Sequence, residues 1–158
     1  MSAFDVMKQT NQLNWHTLLV GFECGWCKKE NLIAYAETCL MQTGNEIDSD
    51  LVTIASGEEI PEDELVSIGG HFLEAQGHPM SQEAKNESIE KWRFAHLVWL
   101  LQCHVSDEEK ISLLQELYAQ FGFPDDMASC SIYSSNGVDP LVAAGHVVES
   151  LSRRLKLL

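Results

Sequence analysis

The stretch Glu87-Ser88-Ile89-Glu90-Lys91-Trp92-Arg93-Phe94-Ala95-His96-Leu97-Val98-Trp99-Leu100-Leu101-Gln102-Cys103-His104 decides the fold. Wound as a helix, it places Ile89, Trp92, Phe94, Ala95, Leu97, Val98, Trp99, Leu100, Leu101 and Cys103 around most of its circumference. A helix that is apolar nearly all round has no long side to offer to water, so it belongs in the middle of a bundle. Asn86 or Ser88 is placed to begin it, and 78–85, with Pro79, reads as a loop.

Outward from this helix the punctuation is helical in both directions. On the C-terminal side, Ser106-Asp107-Glu108-Glu109 has the form of a capping box. It predicts a helix over 107–121 with Ile111, Leu114, Leu117, Tyr118 and Phe121 inward, closed by Gly122. A single turn is expected at 125–128, and 129–134 is the one stretch with a strand-like pattern longer than four residues. Asp139-Pro140 reads as a cap followed by a first-turn proline, opening a last helix over 140–156. Its inward stripe is Leu141, Ala144, Val148, Leu151 and Leu155.

On the N-terminal side a short helix is expected within 5–11. Asn14 then caps 15–23, where Trp15, Leu18, Leu19 and Phe22 recur at i, i+3, i+4 and i+7, and Gly25 ends it. The next helix covers 28–43, with Leu32, Ala36, Cys39, Leu40 and Thr43 on one stripe that Ile33 and Tyr35 widen, and stops at Gly44. Asp48 or Ser49 caps 50–55, which Gly57 ends. Pro61 sits at the first position of a helix carrying Leu65, Ile68, Phe72 and Ala75, ended by Gly77, with Gly69-Gly70 marking close packing or a kink. The expectation is all-α: a single domain over 1–158, six to eight helices around the central helix at 87–104.

The strongest departure from average composition is electrical. Between Glu30 and Ala84 stand twelve acidic residues and no Lys or Arg, within a chain of formal net charge −14. The densest part holds Glu46, Asp48, Asp50, Glu58, Glu59, Glu62, Asp63 and Glu64. Solvated surfaces ordinarily intersperse both signs. Such a field repels nucleic-acid phosphates and anionic membrane, and it speeds encounter with a basic protein. Glu62, Asp63 and Glu64 also have a local role, because carboxylates in a first helical turn complement its dipole. No run of 18 apolar residues is present, and the N-terminus lacks a basic and apolar leader pattern, so a cytoplasmic protein is expected.

Motifs of chemistry are sparse. Cys24-Gly25-Trp26-Cys27 has redox spacing, but an amphipathic helix precedes it where a redox pair needs a strand before it and a helix start behind it. A zinc site would need two further ligands, and Cys103-His104 does not have closed-site spacing. The six histidines form no HxH, HxxxH or HExxH pattern. Asp48-Ser49-Asp50 opens like a calcium loop without its glycine. No catalytic residue, metal or cofactor is expected.

Leu13-Asn14-Trp15, Leu18-Leu19-Val20-Gly21-Phe22, Gly25-Trp26, Glu90-Lys91-Trp92, the Trp99 region and Leu117-Tyr118-Ala119-Gln120-Phe121-Gly122-Phe123-Pro124 together resemble a family of small bacterial proteins catalogued as a domain of unknown function. The last segment compares with a Tyr-Ala-Asp-Phe-x-Tyr-Pro pattern, Gln120 replacing the acid and Phe123 the second Tyr. The resemblance spans roughly 13–133 and rests on packing residues. It implies an all-helical bacterial protein without known catalysis, of a kind often encoded beside secreted polymorphic toxins as immunity proteins. The expected function is therefore binding and neutralising a cognate toxin, as in contact-dependent growth inhibition. The partner would be a basic protein, such as a nuclease domain, met by the acidic sector. The alternatives are a regulatory or adaptor protein with another basic partner, and a small Cys/His metal or redox protein.

Overall fold

A computed structural model describes residues 1–42 and 47–156. The helices are α1 (Ala3–Gln9), α2 (Trp15–Glu23), α3 (Lys29–Gln42), α4 (Ser49–Ala55), α5 (Glu62–Ala75), α6 (Gln82–Gln102), α7 (Asp107–Gln120) and α8 (Pro140–Arg154). Short 3-10 turns occupy Gly57–Glu59 and Asp125–Cys130. The protein is all-α, and among the described residues no strand forms. The strand-like stretch at 129–134 instead finishes the second 3-10 turn and continues as turns, with Gln115 Nε2 donating to the Cys130 carbonyl at 2.9 Å.

Caps set the helix starts. Asn14 Oδ1 accepts from the Thr17 N–H at 2.9 Å, and Thr17 Oγ1 accepts from the Asn14 N–H at 2.9 Å. Asp139 Oδ1 accepts from the Leu141 N–H at 2.8 Å, with Pro140 in the first turn. Ser106 Oγ accepts from the Glu109 N–H at 3.2 Å. Each satisfies a donor that has no partner within the helix. Gly25, Gly77 and Gly122 follow their helices with φ of +80°, +79° and +76°, the left-handed backbone that glycine adopts without strain.

Some boundaries differ from expectation. The long apolar helix starts at Gln82, capped by Ser81, whose Oγ accepts from the Ala84 N–H at 3.1 Å. Asn86 and Ser88 are interior: Ser88 Oγ donates to the Ala84 carbonyl at 2.8 Å, and Gln82 donates to Asn86. A short polar side chain bonds equally well as a cap or back along a formed helix, so the first such residue upstream takes the cap. The first helix begins at Ala3, held by a Ser2–Asp5 capping box. Pro61 precedes its helix rather than opening it. The expected end of α3 at Thr43 and Gly44 lies outside the described residues.

The backbone gathers into two compact units, one of Leu13–Ile89 and one of Met1–Gln12 with Glu90–Leu158. In the latter the core joins Phe94, Leu97 and Leu100 of α6 to Leu114 and Leu117, Met127 and Cys130, and Ala143, Ala144, Val147 and Leu151. Trp92 is fully buried. His96 stands between Trp92 and Phe121, and burial pushes its pKa down to about 4. Arg93, 4% exposed, was not anticipated in this helix. Its guanidinium reaches Asp126 at 2.7 Å and Glu90 at 3.3 Å, and Arg154 also pairs with Glu90. A buried cation is tolerable only when its donors are satisfied in this way.

In the Leu13–Ile89 unit, Trp15 meets Tyr35 and Phe72 edge-on at 5.0 and 5.7 Å. Helix α5 approaches α2 through Gly69: a Cβ there would lie 2.6 Å from Leu19 Cδ2. Nothing lies within 4 Å of a Cβ at Gly70. Gly69→Ala is therefore expected to destabilise the protein by about 1–2 kcal/mol, because buried Leu19 must leave its rotamer. Gly70→Ala should stabilise it by about 0.5–1 kcal/mol through helix propensity. Urea unfolding of both variants checks this, and equal effects would remove close packing as the role of Gly69.

Candidate acidic interface

The acidic sector divides into carboxylates that serve the fold and carboxylates that do not. Asp48 caps α4, its Oδ1 accepting from the Asp50 N–H at 2.8 Å and the Leu51 N–H at 3.3 Å. Asp50 Oδ2 binds His71 Nδ1 at 2.7 Å. Both side chains thus have a partner within the protein, while each stays partly exposed. Caps and cross-helix pairs take the nearest carboxylates on geometry alone. Glu46 lies outside the described residues.

Glu58, Glu59, Glu62, Asp63 and Glu64 remain exposed. Among the described residues none of these five forms an ion pair. The 3-10 turn and the first turn of α5 bring them together, and in α5 they also complement the helix dipole. The turn is held by Lys29 Nζ, which donates to the carbonyls of Ile60 at 2.6 Å and Glu58 at 3.2 Å. This lysine spends its donors on backbone and leaves the carboxylates unpaired.

Beside them lies a groove of about 780 Å³. Phe22, Ile33, Ala34 and Ala55 give it apolar surface, while Glu30, Glu37, Glu58 and Glu62 stand against Lys28 and Lys29. A second hollow of about 330 Å³ shares Phe22 and Glu62 and adds Glu23, Asp63 and Val66, with no cation in its lining. Glu30, Glu37 and the Phe22 wall were not selected from the sequence. Their signal was available: Glu30, Ala34 and Glu37 recur at helical spacing on one face of α3, beside Ile33 at the edge of the core stripe.

A family model described as an uncharacterized protein conserved in bacteria (DUF2247) matches residues 4–156. The chain belongs to this family. The match extends beyond both ends of the segment on which the sequence resemblance rested. No curated protein and no solved structure matches the chain.

Among the described residues, the remaining chemistry-bearing groups of this DUF2247 member do not gather into a metal site. Cys27 is buried, its thiol donating to the Leu18 carbonyl at 3.3 Å, and burial pushes it up to about 12. Partial burial, then the Glu23 carboxylate, also raises Cys24 above the ordinary thiol range. A redox pair needs the opposite, a thiolate stabilised near neutral pH. Among the described residues no group of three or more His, Cys, Asp or Glu could hold a metal. Also among them, no helix is long and apolar enough to cross a membrane.

His71 is exposed, and the Asp50 hydrogen bond, then its charge, raises the imidazole pKa above the usual 6.5. A raised folded pKa stabilises the fold fully below 6.5, and that contribution is lost as pH rises through the folded value. In an NMR titration His71 should titrate above 6.5, and Asp50→Asn should lower it toward that value. An unshifted wild-type His71 would remove the pair from solution.

Proposed function

We propose that this protein is an immunity protein, which binds and neutralises a basic toxin domain in the cytosol of the cell that makes both. The observation that carries the reading is the exposed set Glu58, Glu59, Glu62, Asp63 and Glu64, in no ion pair among the described residues, beside a half-apolar groove. Carboxylates left without intramolecular partners lose little on meeting a cationic surface, and their shared field steers that surface in. A nuclease has such a surface, because it must hold a polyanion. Affinity would come from a few desolvated anchors, and the groove offers the apolar wall for one.

Co-expression with the product of the adjacent reading frame tests this. A stable complex with a basic protein, together with rescue of cells from that protein's toxicity, is the expected result. A basic partner that is harmless alone would favour the adaptor reading. The immunity reading fails if neighbouring genes encode no toxin and no complex forms.

A further inference from the structure

The groove has a second property besides its charge. Glu30 and Glu37 lie two helical turns apart on α3, about 10 Å along its axis, with Ile33 and Ala34 between them on the same face. An apolar pair is thus bracketed by two carboxylates, and Phe22 also lines the groove. Neither Glu30 nor Glu37 forms an ion pair among the described residues. Lys28 and Lys29 also line the groove, so four carboxylates stand against two ammonium groups, and that of Lys29 is bound to backbone carbonyls.

We propose that this groove docks an arginine-bearing segment of a basic protein, with two guanidinium groups flanking an apolar side chain; this rests on the reading above that the partner is a basic protein. The apolar side chain covers Ile33 and Ala34, and the guanidinium groups meet Glu30 and Glu37. Charge complementarity selects a cation. Arginine suits the site better than lysine, because its planar fork matches a carboxylate and lies flat on an aromatic face such as Phe22.

The test needs no identified partner. The probe is the peptide acetyl-Arg-Gly-Leu-Gly-Arg-amide, whose arginines and leucine share one face when extended, titrated into the ¹⁵N-labelled full chain. Amide shifts should concentrate at Phe22, Ile33 and Ala34. Replacing both arginines by citrulline, which keeps the shape and removes the charge, should weaken binding about tenfold, as should Glu30→Gln with Glu37→Gln. Shifts spread equally to the start of α7, or none at all, would overturn the proposal. Spermidine occupying the groove as strongly as the peptide would also overturn it, in favour of a small polycation. With the native partner in hand, the same double variant should weaken the complex by a similar factor. Partner binding that ignores both substitutions overturns this proposal alone. Failure to find any basic partner overturns the reading above, even where the peptide binds.

Discussion

Trp92→Ala is expected to lower stability by about 3–5 kcal/mol, the largest loss from any single truncation proposed here. Trp92 is 0% exposed and sits in α6, the helix whose apolar residues run round its circumference. Removing the indole leaves a cavity that neighbours on a rigid helix do not close, so lost transfer energy and lost packing add. Urea unfolding followed by the helical circular dichroism signal measures the effect. Trp99→Ala provides the contrast. Trp99 is only partly buried, and its Nε1 donates to the Met1 carbonyl at 2.8 Å. Its truncation should therefore cost distinctly less. Equal losses would mean that burial of α6 is not graded as the structure places it.

The second large effect concerns the partner. Reversing Glu58, Glu59, Glu62 and Glu64 to Lys moves the formal net charge from −14 to −6. Electrostatic steering accelerates association by about 10- to 1,000-fold, so the reversed protein should bind its basic partner at least about tenfold more slowly. Its association rate should also lose most of its dependence on salt, since screening has less attraction to remove. Reversal of Glu108, Glu109 and Glu116 shifts net charge in the same direction on the other compact unit. A local interface predicts a much smaller effect from that control, measured by stopped-flow at several ionic strengths. Equal slowing by both sets would assign the effect to overall charge, and no slowing by either would dismiss steering. Lysines at 62 and 64 oppose the dipole of α5 by about 0.3–1 kcal/mol each, so the helical signal must be checked first.

The candidate site was partly legible in advance. Glu58, Glu59, Glu62, Asp63 and Glu64 were named from charge density, and all are exposed. Asp48 and Asp50 were named on the same ground, and the fold uses both. One caps its own helix, and the other reaches a histidine 21 residues away. Charge density along a chain records how many carboxylates are present, not which of them meet a donor after folding. Arg93 went unnoticed for the same reason. Its flanking residues, Trp92 and Phe94, pointed to burial, but the acid that makes burial tolerable stands 33 residues on, at Asp126.

What the sequence determined by itself was local. The all-α class, the caps at Asn14, Ser106 and Asp139, and the glycine stops all rest on groups within about four residues of one another. Backbone geometry fixes such distances whatever the rest of the chain does. Only the tertiary structure decided which acids remain unpaired, that Lys29 ties down the turn beside them, and that Phe22 and α3 form a groove there. Those features join residues from 8 positions apart, Phe22 and Glu30, to 31, Lys29 and Ile60. Their separations are set by how apolar faces pack, and no periodicity in the chain encodes that.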